Sequence, residues 1–192
     1  MQLIFATNNE NKVKEIRNIL GDQYHIITMK EAGFDQDIPE PFDTLEENAR
    51  TKSQTLYTQT GLSCFSEDTG LFVPALGGAP GVKSARYAGD QAQSTDNIEK
   101  LLHEMQEKTE RSAFFRTIIS LIMNGIEYQF EGICEGMLTN AHCGRNGFGY
   151  DPVFIPNGAE KTFAEMDLAE KAAYSHRKKA VAKLVGFLQS NT

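Results

Sequence analysis

The chain has 192 residues and carries 19 Lys and Arg against 26 Asp and Glu, a formal charge of −7; this argues against a dedicated nucleic-acid binder, which needs a basic face against phosphate. A hydrophobic share of 40% with 23% charged residues fits one globular domain rather than a disordered chain. The three cysteines, Cys64, Cys134 and Cys143, are too few and odd in number for a disulfide framework, which points to a reducing compartment.

In chain order, residues 2–6 are apolar and end at the polar Thr7-Asn8-Asn9, the pattern of a buried strand. The run is shorter than the ~7 residues of a secretory core, and no stretch approaches the ~18 of a membrane span, so a cytoplasmic protein is expected. Residues 9–20 place Val13, Ile16, Ile19 and Leu20 on one helical face, with Asn8 or Asn9 as cap and Gly21 as stop. Tyr24 to Thr28 reads as a strand, and Pro39 and Pro41 break regular structure around Glu40. Thr44-Leu45-Glu46-Glu47 is a capping box opening a helix that Gly61 closes. Leu62 to Ser66 is read as a short strand delivering Glu67-Asp68 at its C-terminal end. Gly77 to Gly81 is a loop, and Ile98, Leu101, Leu102 and Met105 mark a helix. Residues 113–123 form a strand that returns through Asn124-Gly125 over Ile126 to Cys134, a hairpin. Gly144 to Gly149 is a glycine-rich loop, Val153 to Ile155 a strand, and Ser175 to Leu188 the last helix.

Helices interleaved with strands and one hairpin make the class α/β with a mixed, twisted sheet. Polar clusters at three strand ends, Thr7 to Lys12, Glu67-Asp68 and Phe148 to Asp151, suggest one cleft. At the first, a strand runs into a helix start, where backbone N–H groups, the Thr7 hydroxyl, the Asn9 amide and the Lys12 ammonium can converge on an anion; an ordinary Asn-capped helix with a solvated lysine is the alternative. It is not a P-loop, because the glycines and the Gly-Lys-Ser/Thr ending are absent. Glu40 and Glu67-Asp68 can hold Mg²⁺, which favours one or two carboxylates plus phosphate oxygens, or they are solvated loop acids. Phe148 can stack a nucleobase and Asp151 accept a base N–H, or the segment is a core aromatic between turn glycines. Lys171, Ser175, His176 and Arg177 gather donors around the last helix start, whereas Lys178 and Lys179 read as solvated. Cys134, His142 and Cys143 match no zinc spacing, and His103 reads as a surface or core residue.

Taken together, Thr7-x-Asn9-x-x-Lys12, Glu67-Asp68-Thr69-Gly70-Leu71, Ala75 to Gly81, Ser84-Ala85-Arg86-Tyr87, Phe148-Gly149-Tyr150-Asp151-Pro152 and Ser175-His176-Arg177 resemble, in order, the inosine triphosphate pyrophosphatase or Ham1-like family, in its bacterial branch. The resemblance implies an elongated α/β fold: one domain over 1–192 whose two lobes flank a central cleft. It implies Mg²⁺-dependent hydrolysis of ITP, dITP and XTP to the monophosphate and pyrophosphate. It also implies a homodimer with a small-molecule purine nucleotide as substrate and no nucleic-acid polymer or membrane as partner. By motif match, the segment Thr7, Asn8, Asn9, Glu10, Asn11 and Lys12, above all Thr7, Asn9 and Lys12, would hold the triphosphate, helped by Lys52. Glu40 and Asp68 would hold Mg²⁺, with Asp68 as proton acceptor and Glu67 behind them. Thr69, where bacterial members more often carry Ser, would touch the substrate. Phe148, Gly149, Tyr150, Asp151, Lys171, His176 and Arg177 would form the base pocket. A Maf-like nucleotide pyrophosphatase and a nucleotide-binding module without turnover are the alternatives; the presence of both Glu40 and Asp68 speaks against the latter.

Overall fold

The computed structural model describes residues 2–34 and 36–191. Its strands are β1 (Gln2–Phe5), β2 (His25–Thr28), β3 (Cys64–Phe72), β4 (Pro80–Gly81), β5 (Ser112–Met123), β6 (Ile126–Leu138) and β7 (Phe154–Pro156). Its helices are α1 (Glu10–Leu20), α2 (Leu45–Thr60), α3 (Ser94–Glu104), α4 (Leu168–Tyr174) and α5 (His176–Ser190). The sheet order is β2-β1-β3-β5-β6-β7, with β4 beside β3. β1 runs parallel to β2 and β3, while the β3–β4 and β6–β7 pairs are antiparallel, so the sheet is mixed and the class is α/β.

Local chemistry accounts for the element ends. Asn9 caps α1, its side-chain oxygen accepting from the amides of Asn11 and Lys12. Thr44 accepts the Glu47 amide at the start of α2, and the Glu47 carboxylate reaches the Thr44 hydroxyl at 2.7 Å rather than closing the box on a backbone N–H. Asn124 and Gly125 have φ of 53° and 79°, the positive pair that a two-residue hairpin turn demands.

The chain divides into two compact units. The first comprises Met1–Asp68, Thr117–Gly132 and Arg177–Thr192. Here β1 is apolar from Leu3 to Phe5, with only Gln2 exposed at its start, because both its faces are covered. Leu3 and Phe5 pack with Val13, Ile16 and Leu20 of α1 and with Val181, Leu184 and Leu188 of α5. Ile4 and Ala6 pack on the other side with Leu56 of α2, Met29 and Ile122. The Phe5 and Phe65 rings stack at 4.5 Å. The second unit comprises Thr69–Arg116 and Ile133–His176. Its core gathers Leu71, Ile98, Leu101, Phe115, Phe154 and Phe163. Among the described residues, no helix is long and apolar enough to cross a membrane.

Two differences from the sequence reading matter for the site. β3 does not stop at Ser66; it continues through Phe72, so Glu67 and Asp68 lie within the strand and not at its C-terminal end. The charged pair interrupts the apolar pattern by which strands are recognised, yet both acids are buried. In addition, α4 forms just before the last helix, with Asp167 and Glu170 making the capping box that reading missed.

Leu184 is fully buried in the first unit. Leu184→Ala is expected to lower unfolding free energy by about 3 kcal/mol, measured by urea denaturation.

Candidate functional site

In the first unit, Glu67 and Asp68 are consecutive on β3, so their side chains leave opposite faces of the strand. Glu67 is fully buried and Asp68 is 5% exposed. Burying a carboxylate without a partner costs several kcal/mol, and each acid has cations around it. The Arg177 guanidinium grips Glu67 bidentately, Nε on Oε2 and Nη2 on Oε1, both at 2.7 Å. Its Nη1 donates to Glu15 of α1. Lys12 Nζ lies 3.3 Å from Glu67 Oε1. Burial opposes the charge on Arg177, but Glu67 and Glu15 outweigh it and raise the guanidinium above its ordinary range.

Asp68 faces a different set. Lys52, from α2, places Nζ 3.8 Å from Asp68 Oδ1 and 2.5 Å from Glu40 Oε1, and donates to the Glu67 carbonyl at 2.7 Å. One buried ammonium thus serves two carboxylates. Burial pushes the Asp68 carboxyl above the usual carboxylate range; the nearby charge of Glu40 adds to the rise, and Lys52, Lys12 and a hydrogen bond from Asn48 hold it back without cancelling it. Asn48, fully buried on α2, also clamps the backbone of Phe42, its Oδ1 accepting the amide and its Nδ2 donating to the carbonyl, both at 3.0 Å. It therefore fixes the segment that carries Glu40. Neither Asn48 nor Glu15 was singled out from sequence. The one available signal for Glu15 is its place one turn after Lys12, beside the apolar stripe of α1.

The N-terminal segment differs from its expectation in one respect. The amides of Asn11 and Lys12 are already taken by Asn9 Oδ1, and the Val13 amide by the Asn9 carbonyl. An anion at this helix start therefore depends on side chains more than on those amides. Thr7 Oγ1 accepts the Asn9 amide, Asn8 donates to Asp37, and Glu10 and Asn11 are exposed.

The second unit holds the other predicted residues. Asp151 Oδ2 accepts from the Phe148 amide at 2.8 Å and from Lys171 Nζ at 2.6 Å. The Lys171 ammonium lies 5.1 Å from the centre of the Phe148 ring and 5.3 Å from that of Phe163. His176 is buried and stacked on Phe115, centroids 4.7 Å apart, while the Ser175 amide closes α4 on the Lys171 carbonyl. Tyr150 is buried with its hydroxyl donating to the Ser84 carbonyl at 2.8 Å, so its side chain supports the loop, and the Ser84-Ala85-Arg86-Tyr87 motif acquires a structural use. Thr69 is half-buried in β3, and Gly149 is a half-buried loop residue. Lys171 and His176 thus belong to the second unit and Arg177 to the first. Lys178, Lys179 and His103 are exposed. Among the described residues, no three His, Cys, Asp or Glu side chains gather as a metal-binding group.

The family model described as the Ham1 family matches residues 3–187. The chain belongs to the Ham1 family. A Porphyromonas gingivalis protein named dITP/XTP pyrophosphatase is 48% identical over 188 residues, covering 97% of each chain. One of the same name from Christiangramia forsetii is 45% identical, covering 98% of this chain and 99% of its own. Among solved structures, a Ham1 protein from Coxiella burnetii superposes with a TM-score of 0.90 at 36% identity over 99% of both chains, and one from Staphylococcus aureus with 0.89 at 36% over the whole of both. This membership removes the Maf-like alternative.

Glu15 is, beside Glu67, a carboxylate bonded to the buried Arg177. Glu15→Gln, which keeps the shape, is expected to cost on the order of 3 kcal/mol of stability, measured by chemical denaturation at neutral pH.

Proposed function

We propose that this Ham1-family protein hydrolyses non-canonical purine nucleoside triphosphates, dITP, ITP and XTP, to the monophosphate and pyrophosphate. The observation that carries the reading is the arrangement about Lys52: two carboxylates, Glu40 and Asp68, at one buried ammonium, with Asp68 made more basic than an ordinary carboxylate by burial. The printed names of relatives covering almost the whole chain support the substrate class.

The donor set fits Mg²⁺. Two carboxylates that meet at one ammonium, Glu40 at 2.5 Å and Asp68 at 3.8 Å from Lys52 Nζ, are what that ion takes from a protein, its other positions going to water and substrate phosphate oxygens. Glu40 and Asp68 would hold it, and when bound it supplies charge neutralisation at the phosphate oxygens. The remaining work falls to the chain's own residues. Lys12 and Thr7 bind the triphosphate, with Asn9 fixing the helix start that presents them. Lys52 adds positive charge where the transition state accumulates negative charge. Asp68 accepts the proton of a water that attacks the α-phosphorus in line, as the α–β anhydride bond breaks and pyrophosphate departs. A carboxylate raised above its ordinary range accepts that proton more readily. In the second unit, Phe148 stacks the base, and Thr69, Gly149, Tyr150 and Asp151 shape its surroundings. Lys171, His176 and Arg177 provide donors for a 6-oxo group. The charges of Lys171 and Arg177 are already balanced by Asp151 and by Glu67 with Glu15, which suits them to a neutral carbonyl oxygen better than to a phosphate. We place the enzyme in the cytoplasm as a homodimer, on the family resemblance; light scattering is expected to give twice the monomer mass, and a monomer at working concentration would refute this.

Asp68→Asn is expected to lower kcat by about 10²–10⁴-fold in an assay of pyrophosphate release from dITP with added Mg²⁺, and excess EDTA is expected to abolish the parent activity. A variant keeping more than about a tenth of the rate overturns the assignment. The fold survives. An acid whose folded pKa is raised loses stability as pH rises through that pKa, so the neutral amide removes a penalty at pH 7. The Tm of Asp68→Asn is expected to be no lower than the parent's.

The donors also predict discrimination. Adenine offers a 6-amino donor where inosine and xanthine offer an acceptor, and unpaired buried donors can reject an analogue by about 10⁴-fold. The kcat/KM ratio of dITP to dATP is expected to approach that value, and Arg177→Ala to narrow it. Guanine shares the 6-oxo group and must be excluded at its 2-amino group. Hydrolysis of ATP or GTP within about tenfold of ITP contradicts a donor-lined pocket.

A further inference from the structure

The Asp151 carboxylate has an unusual neighbour: residue 147 has no side chain. A Cβ on Gly147 would stand 2.0 Å from Asp151 Oδ2 and 2.9 Å from its Cγ. Such a clash is cheap where the oxygen is the loose end of a flexible side chain. Here it is not, because Asp151 is only 3% exposed and the same oxygen accepts from both the Phe148 amide and Lys171 Nζ. A shift of the oxygen large enough to relieve a 2.0 Å contact lengthens or breaks one of those bonds or both. The contacts lie within one stretch of the second unit and connect the ring of Phe148, the ammonium of Lys171 and the bare Cα of Gly147 through a single atom.

We propose that Gly147 is a positioning residue for base recognition: its lack of a side chain lets Asp151 Oδ2 hold the Phe148 amide and the Lys171 ammonium together, and so fixes the stacking ring relative to the donor beneath it. The proposal rests on the reading of Phe148 and Lys171 as base-contacting residues. It separates two effects of a substitution at 147. Gly147 has a φ of +74°, so alanine is strained there in any background. The collision with the carboxylate exists only while Asp151 is present. Displacing the carboxylate disturbs where the base sits and leaves Glu40, Lys52 and Asp68 untouched, so the loss falls on KM and not on kcat.

The test is a double-mutant cycle of Gly147→Ala and Asp151→Ala in the full chain, read by steady-state kinetics on dITP, by calorimetric binding of dIMP, and by chemical denaturation. Gly147→Ala is expected to raise KM for dITP and Kd for dIMP by tenfold or more with kcat within threefold of the parent. In the Asp151→Ala background, the same change is expected to add less than threefold. An equal factor in both backgrounds overturns the proposal, because backbone strain then explains the whole effect; so does a Gly147→Ala variant within twofold of the parent. If Gly147→Ala alone gives no soluble protein, the double variant decides: soluble protein that binds dIMP as Asp151→Ala does supports the contact, and a double variant that also fails to fold overturns it. If Asp151→Ala leaves both KM and the dITP-to-dATP ratio unchanged, the base-pocket reading falls, and the 147–151 coupling seen in denaturation still judges the contact itself.

Discussion

Two consecutive carboxylates buried in one strand impose the strictest condition on the first unit. A buried carboxylate is tolerated only with cations and donors to replace its water. Because successive strand residues face opposite ways, the carboxylates of Glu67 and Asp68 take their hydrogen-bonding partners from different side chains, although the charge of Lys12 acts on both. Glu67 is met by Arg177 and Lys12, and Asp68 by Lys52 and Asn48. The partners come from three helices: Lys12 from α1, Lys52 and Asn48 from α2, and Arg177 from the start of α5. Glu15 then ties α1 to Arg177 a second time. Placing the helices on β3 and assembling the reactive groups are therefore one electrostatic problem, not a scaffold with a site added to it.

The looseness of these contacts is graded in a way that matches the proposed roles. Lys12 stands 3.3 Å from Glu67 with its side chain 16% exposed, a contact that phosphate oxygens can replace. Arg177 is bidentate and 1% exposed, and Lys171 is 2.6 Å from Asp151 with both side chains nearly buried. In the proposed roles, Lys12 can exchange a carboxylate for a phosphate, whereas donors for a base need fixed direction, because the expected rejection of adenine depends on leaving a donor unpaired and unable to turn away.

Much of this was legible in the linear sequence where the cause is local. The Thr44 start of α2, the Gly21 and Gly61 stops and the Asn124-Gly125 turn each depend on a few adjacent residues and lie where the sequence puts them, and of the two candidate caps of α1, Asn8 and Asn9, the structure uses Asn9. The six motifs carried the family. Less legible were the features that long-range burial decides. β3 was cut short at Ser66 because Glu67 and Asp68 look like a strand's polar end, and only the burial of both acids shows that it continues. The backbone amides at the start of α1 were read as open to an anion, but Asn9 takes two of them; cap and anion-binding readings use the same residue types.

The amino-acid sequence by itself determined the chemical inventory: acids at positions 40, 67 and 68, lysines at fixed offsets, an aromatic in a glycine loop, and caps that set where most helices begin and end. The tertiary structure alone decided how these pair. Arg177 lies 110 residues from Glu67 and 162 from Glu15, Lys52 lies 15 from Glu67, and Lys171 lies 20 from Asp151. No local spacing rule reaches across such separations. Which carboxylate meets which cation follows from strand order and from the face each residue takes on its strand or helix, and those are fixed by the burial of apolar residues elsewhere in the chain.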